Sequence, residues 1–168
     1  MPAVYFNTCL IQNALFGIAY LKGMELKKGA IGTTVAHDSH YMILAGTNDE
    51  DIVKAANELR NSQGGKIYVE DGEVKAKLEL PIAGLMTEEN PQRVVEKMNK
   101  LKEKANVNEG MDAYMNLSFL SLAVIGDVKL LPGGAFDVRK WGFITQEELD
   151  KKWREGQGIT PNDDNDQR

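Results

Sequence analysis

The chain has a single cysteine, Cys9, and only two histidines, His37 and His40, in 168 residues. One cysteine rules out an internal disulfide and makes a reducing cytoplasm the expected setting. No histidine lies near Cys9 in sequence, so nothing marks it as a thiol nucleophile. Two imidazoles, with no Cys-x-x-Cys and no His-x-His pair, do not complete a four-ligand metal centre, and no metal is expected in this chain. Positive charge is also short: 20 Lys and Arg face 25 Asp and Glu, a net charge of −5. That balance disfavours nucleic acid and anionic membrane as partners. No stretch reaches the ~20 apolar residues of a membrane span. The first 21 residues are fairly apolar, but they carry no Lys or Arg, and Asn7, Gln12 and Asn13 interrupt them. A signal peptide is therefore not expected. Gly64-Gly65 and Pro132-Gly133-Gly134 read as turns and match no phosphate-binding loop. Ser39 lacks the Gly-x-Ser-x-Gly elbow of a hydrolase nucleophile.

What is present is an ordinary globular mixture, 42% hydrophobic and 27% charged, long enough for one domain with a buried core. It is too short for a complete eight-fold β/α barrel, which needs about 250 residues. Lys97, Lys100, Lys102 and Lys104 alternate with Glu96 and Glu103, the pattern of a solvated helix face. Residues 30–36 and 41–45 read as strands covered on both faces. Thr47 and Glu50 have capping-box spacing ahead of a helix whose buried stripe is Ile52, Ala55, Ala56 and Leu59, closed by Gly64-Gly65. Residues 66–70 and 73–80 form a hairpin about Asp71-Gly72. An apolar loop, 80–86, leads to a second helix starting near Thr87 or Asn90, with Pro91 in its first turn and Val94, Val95, Met98, Leu101 and Ala105 buried. Residues 111–125 are strongly apolar, with Asn116, Ser118 and Ser121 embedded. Met111, Met115, Phe119 and Leu122 read there as core. Residues 128–131 and 135–138 form a closing strand pair, and 145–155 a short helix with capping-box spacing from Thr145 to Glu148.

The fold class expected is α/β or α+β: a two-layer mixed β-sheet with two principal helices and a β-hairpin. The domain division is 1–13, an unassigned N-terminal segment; 14–140, the main domain; 141–155, a short helical extension; and 156–168, an acidic tail expected to be disordered.

Chemistry concentrates in Val35-Ala36-His37-Asp38-Ser39-His40, a polar break between two apolar runs. Functional residues commonly ride on such loops, held by a rigid sheet. His37, Asp38, Ser39 and His40 are the candidate catalytic residues, as general bases, substrate hydrogen-bonders or partial metal ligands. His37 and His40 converge only if the backbone turns between them, which Asp-Ser favours. The plainer reading is that the histidines satisfy buried polar groups.

The run just quoted has company. Lys22-Gly23, Leu26-Lys27-Lys28-Gly29-Ala30-Ile31 and Gly46-Thr47-Asn48-Asp49-Glu50-Asp51 flank it. Leu80-Pro81-Ile82-Ala83-Gly84-Leu85-Met86, Met115-Asn116-Leu117-Ser118-Phe119-Leu120 and Phe136-Asp137-Val138 follow in order. Together, over roughly residues 17–138, these resemble the C-terminal domain of the adenine deaminases. The resemblance implies hydrolysis of adenine to hypoxanthine and ammonia, carried out in an amidohydrolase barrel with its own histidines and a divalent metal, manganese or iron. It implies an accessory role for this domain, closing the active site of a barrel on a separate chain, with no turnover by this chain alone. Met86, Asn116 and Ser118 are then candidate substrate-binding residues. The expected partners are an amidohydrolase barrel chain, adenine or a related purine, and further copies of the chain in a homo-oligomer. A stand-alone purine-binding or regulatory domain, or a truncated remnant, is the alternative.

Overall fold

A computed structural model of the chain describes residues 17–19, 21, 24–37, 39–105, 112–145 and 147–148. Segment 1–13, Asp38, Met111, the acidic tail and most of the helix expected at 145–155 lie outside the described residues.

Four strands, β1 (Ala30–Thr33), β2 (Ile43–Gly46), β3 (Gly65–Glu70) and β4 (Glu73–Glu79), form a sheet of order β2-β1-β3-β4. Every ladder in it is antiparallel. Since β2 and β3 both oppose β1, they run parallel to each other and need a crossover. Helix α1 (Asp49–Asn61) supplies it. Helices α2 (Pro91–Ala105) and α3 (Ala113–Ser118) follow, and then a smaller antiparallel sheet of β5 (Val128–Leu131), β6 (Gly134–Asp137) and β7 (Gly142–Phe143). The expected helix-on-sheet layering, two longer helices and hairpin are all present. The short strand β7 had no signal of its own.

Alternation along the strands divides the core in two. Ala30, Leu44, Ile67 and Val69 face Ile52, Ala55 and Leu59 of α1. Ile31, Ile43, Ala45, Tyr68, Ala76 and Leu78 face the other way, toward Leu101 and Ala105 of α2 and Tyr114 and Leu117 of α3. With both faces covered, β1 and β2 are buried at every position, as their mostly apolar sequence suggested. Each fully buried Leu or Ile, such as Ile31, Leu44, Leu59 and Ile67, contributes roughly 1.5–3 kcal/mol. Gly32 lets α1 come close: a Cβ there would sit 2.9 Å from Leu44 Cδ2 and 2.9 Å from Leu59 Cδ1.

The start of α1 differs by one residue from the expected Thr47 cap. Asn48 is the cap; its Oδ1 accepts from Asp51 N at 2.8 Å while its Nδ2 donates to Asp51 Oδ2 at 2.8 Å. Thr47 is drawn away because its N–H and hydroxyl bond Gly29 O. Asp51, 2% exposed, also accepts from Gly72 N at 2.7 Å, joining α1 to the β3–β4 turn. Both turn residues, Asp71 (φ 54) and Gly72 (φ 74), are left-handed, as a two-residue hairpin turn requires.

Two further expectations are corrected. Val95 of α2 is 57% exposed, because only Leu101 and Ala105, with Val94 and Met98 at the margin, meet the sheet. Met115 is 55% exposed on α3, so the apolar run at 111–125 is a short helix and turns with one open side.

Candidate functional site

The hairpin loop at 34–42 joins the central strand β1 to β2 and carries His37, Ser39 and His40. Its base is pinned. Thr33 Oγ1 accepts from Val35 N at 3.0 Å, turning the chain out of the strand. Thr34 Oγ1 donates to Gly84 O at 2.6 Å and accepts from Gly65 N at 2.8 Å, and Thr34 N donates to Gly65 O at 3.0 Å. This draws the neighbouring loop at 80–86 against the same end of β1. Gly64 and Gly84 make the approach feasible: a Cβ on Gly64 would lie 2.4 Å from Gly84 Cα. Within that loop, Ile82 and Met86 bond each other's backbone in both directions at 3.1 Å. Met86 is left 57% exposed.

The backbone does turn between the histidines, as convergence would need: His40 N donates to Ala36 O at 3.0 Å and Ser39 N to His37 O at 2.8 Å. His40 has φ 49, a conformation that costs a non-glycine residue roughly 1 kcal/mol or more. Yet the two rings are not bonded to one another among the described residues. His37 instead docks on the end of α3. Its N–H donates to Ser118 O at 3.1 Å, its Nδ1 lies 2.8 Å from Ser118 Oγ, and its ring stacks on Phe119 with centroids 4.1 Å apart and planes 11° from parallel. Ser39 Oγ pairs with Ser121 Oγ at 2.9 Å. Both His37 and His40 are exposed, whereas Ser118 and Ser121 are each 3% exposed.

The platform beneath is itself anchored. Tyr114 hydroxyl, fully buried, donates to Ile67 O of β3 at 3.0 Å, and burial pushes its pKa far up, so it stays a donor. Asp112 caps α3, accepting from Tyr114 N and Met115 N at 3.1 Å each, and pairs with Lys102 of α2 at 2.8 Å. Burial pushes the Asp112 carboxyl up, but the Lys102 pair and the Met115 N–H outweigh it and the net shift is down. At the other end Lys129 Nζ donates to Phe119 O at 2.9 Å, a cation at the helix C-terminus, and burial pushes that ammonium down.

Of the sequence candidates, then, His37, Ser39 and Ser118 come together. Asn116 sits on α3 two residues from Ser118 and is exposed; Met86 lies on the loop latched through Thr34. Thr34, Phe119 and Ser121 were missed as site residues. Ser121 had a signal: a serine inside an apolar run needs a partner, and Ser39 is that partner. Among the described residues no three of His, Cys, Asp or Glu are grouped to hold a metal ion. These residues do not fit a two-metal centre. No described helix is long and apolar enough to cross a membrane.

The adenine deaminase C-terminal domain model matches residues 10–141. The chain is similar to adenine deaminase 2 of Carboxydothermus hydrogenoformans, 44% identical over 131 residues, covering 76% of this chain and 23% of that protein. Adenine deaminases of Geobacillus kaustophilus (41% over 136 residues, 79% and 24%) and Bacillus subtilis (39% over 132 residues, 77% and 23%) are similar over the same kind of span. The chain thus spans about a quarter of the length of these relatives. Its matched residues include the four-stranded sheet, β5 and β6 of the smaller sheet, helices α1, α2 and α3 and the His37 loop, and the chain belongs to the adenine deaminase C-terminal domain family.

Proposed function

We propose that this chain serves adenine hydrolysis as the accessory domain that closes an amidohydrolase barrel over its substrate. The observation that carries this reading is the docked loop: an exposed imidazole held at a fixed place by a buried serine, at the end of the sheet's inner strand β1. Closure of such a surface over a bound purine excludes water and strengthens the polar contacts inside. His37, His40, Ser39 and Asp38 orient adenine or the attacking water, and exposed Met86 and Asn116 contact the base. The divalent metal, manganese or iron, belongs in this reading to the barrel.

Exposed Met115 on α3, and Val124 and Ile125 just after it, supply apolar side chains of the kind a partner covers. The test is to add this chain to a purified adenine deaminase barrel lacking its own C-terminal domain and follow ammonia release. Activity is expected to rise, and His37→Ala or His40→Ala to forfeit most of that rise, about 10- to 100-fold for a charged or catalytic hydrogen bond. Equal rates with and without the chain would remove the proposal.

A further inference from the structure

The geometry points to Ser118 as the positioning residue of this site, one that fixes which nitrogen of His37 carries the hydrogen and leaves Nε2 as an acceptor bonded to no described residue. The chemical role given to that nitrogen rests on the accessory-domain reading above; the tautomer itself does not.

A serine hydroxyl has one hydrogen to give. Ser118 Oγ lies 2.6 Å from Met115 O, and a carbonyl oxygen only accepts, so the hydroxyl hydrogen is committed there. The same Oγ lies 2.8 Å from His37 Nδ1. With its hydrogen used, the hydroxyl can only accept from the imidazole, so the neutral ring is hydrogenated at Nδ1 and bare at Nε2. Three further contacts hold the ring in that pose: the His37 N–H to Ser118 O bond, the face-on Phe119 ring, and the Lys129 ammonium fixing Phe119 O. Nε2 bonds no described residue, and the side chain is exposed. Ser118 is 3% exposed, and its hydroxyl gives its one hydrogen to Met115 O and accepts from His37 Nδ1. Buried in this way, it acts through His37 and does not itself reach a purine.

The consequence is a preference in ligand chemistry. An acceptor at Nε2 recognises an N–H, whether the exocyclic amine or the ring N–H of an aminopurine, and gives nothing to the bare ring nitrogens. It also accepts a hydrogen from a water attacking the base. The opposite tautomer would invert that preference.

Long-range proton–nitrogen correlation spectra of the full chain, labelled with nitrogen-15 and recorded without barrel or substrate, read the tautomer directly. The expected wild-type pattern for His37 is hydrogen on Nδ1 with Nε2 bare. Ser118→Ala should lose that pattern, moving His37 toward the Nε2–H form that predominates in free histidine. Ser121→Ala, which breaks the adjacent Ser39 pair and spares the imidazole, should keep it. An Nε2–H tautomer in the wild type overturns the inference, and so does a Ser121→Ala change as large as that of Ser118→Ala. Should Ser118→Ala fail to fold, the wild-type and Ser121→Ala spectra still decide the question. In the reconstituted deaminase assay, Ser118→Ala and His37→Ala should be non-additive, the double variant no worse than His37→Ala alone. Full additivity rejects action through His37. A chain that adds nothing to the barrel rejects the accessory-domain reading and leaves the tautomer result standing.

Discussion

At the residue scale, the loop holds two histidines in very different circumstances. His37 is tied at its backbone, its Nδ1 and its ring face, so its position is set by α3. Among the described residues His40 hydrogen-bonds through its backbone, in a left-handed conformation that a β-branched residue tolerates badly. His40→Val should accordingly lower stability by about 1–2 kcal/mol, and His40→Gly should be close to neutral, by denaturant melts. Equal losses for the two would show that side-chain contacts, and not the backbone, set the cost. The sequence placed both imidazoles correctly on a loop between strands. It had no means of separating their roles, because the partner serine lies 81 residues downstream of His37.

At the element scale, short polar caps decide where α1 and α3 begin. Asp51 serves its own helix N-terminus and the β3–β4 turn at once. Asp51→Ala leaves Gly72 N and the Asn48 amide without their acceptor, and should cost about 2–4 kcal/mol in chemical denaturation; a loss under 1 kcal/mol would mean the turn finds another acceptor. Asp112 carries a pH signature. Its folded pKa is depressed on balance, by the Lys102 pair and Met115 N–H against burial. A depressed carboxylate stabilises above its unfolded value and loses that contribution as pH falls through the folded value. Thermal melts from pH 7 down to about 3 should show Asp112→Asn less stable at neutrality and converging on wild type in acid. A gap that stays constant with pH would contradict this. Gly32 tests packing: the 2.9 Å approaches at its Cβ position make Gly32→Ala destabilising by about 1–3 kcal/mol.

Element positions were largely legible, since apolar runs, Asp-Gly and Pro91 are local signals. The one-residue slip from Thr47 to Asn48 was not, because it depends on Gly29, distant in sequence, capturing Thr47. Nor was the exposure of Val95 and Met115 legible, since periodicity shows that a helix has an apolar side and not how wide a face its neighbours cover.

At the scale of the molecule, the sheet is built so that β1 lies inside it, flanked by β2 and β3 and covered by α1 on one face and α3 on the other. The His37 loop thus leaves from a strand with no exposed edge. Exposed apolar side chains lie at Met86 on the neighbouring loop, Met115 on α3, Val124 and Ile125 after it, and Trp141 and Phe143 by the small sheet. Without a barrel to cover such a surface, sedimentation of the chain alone should show concentration-dependent self-association. Adding barrel should replace it with a mixed complex; a strict monomer at all concentrations would count against both partners.

The Thr34 latch carries a consequence in time. Gly65 sends its amide hydrogen to a side-chain hydroxyl, not to a neighbouring strand's carbonyl. That one amide therefore clocks the separation of the 80–86 loop from β1, on a scale independent of the sheet's own unzipping. In deuterium exchange, Thr34→Val should speed Gly65 while leaving its neighbour Ile67 slow. The rim of the site would then have its own opening rate, readable at a single peptide hydrogen.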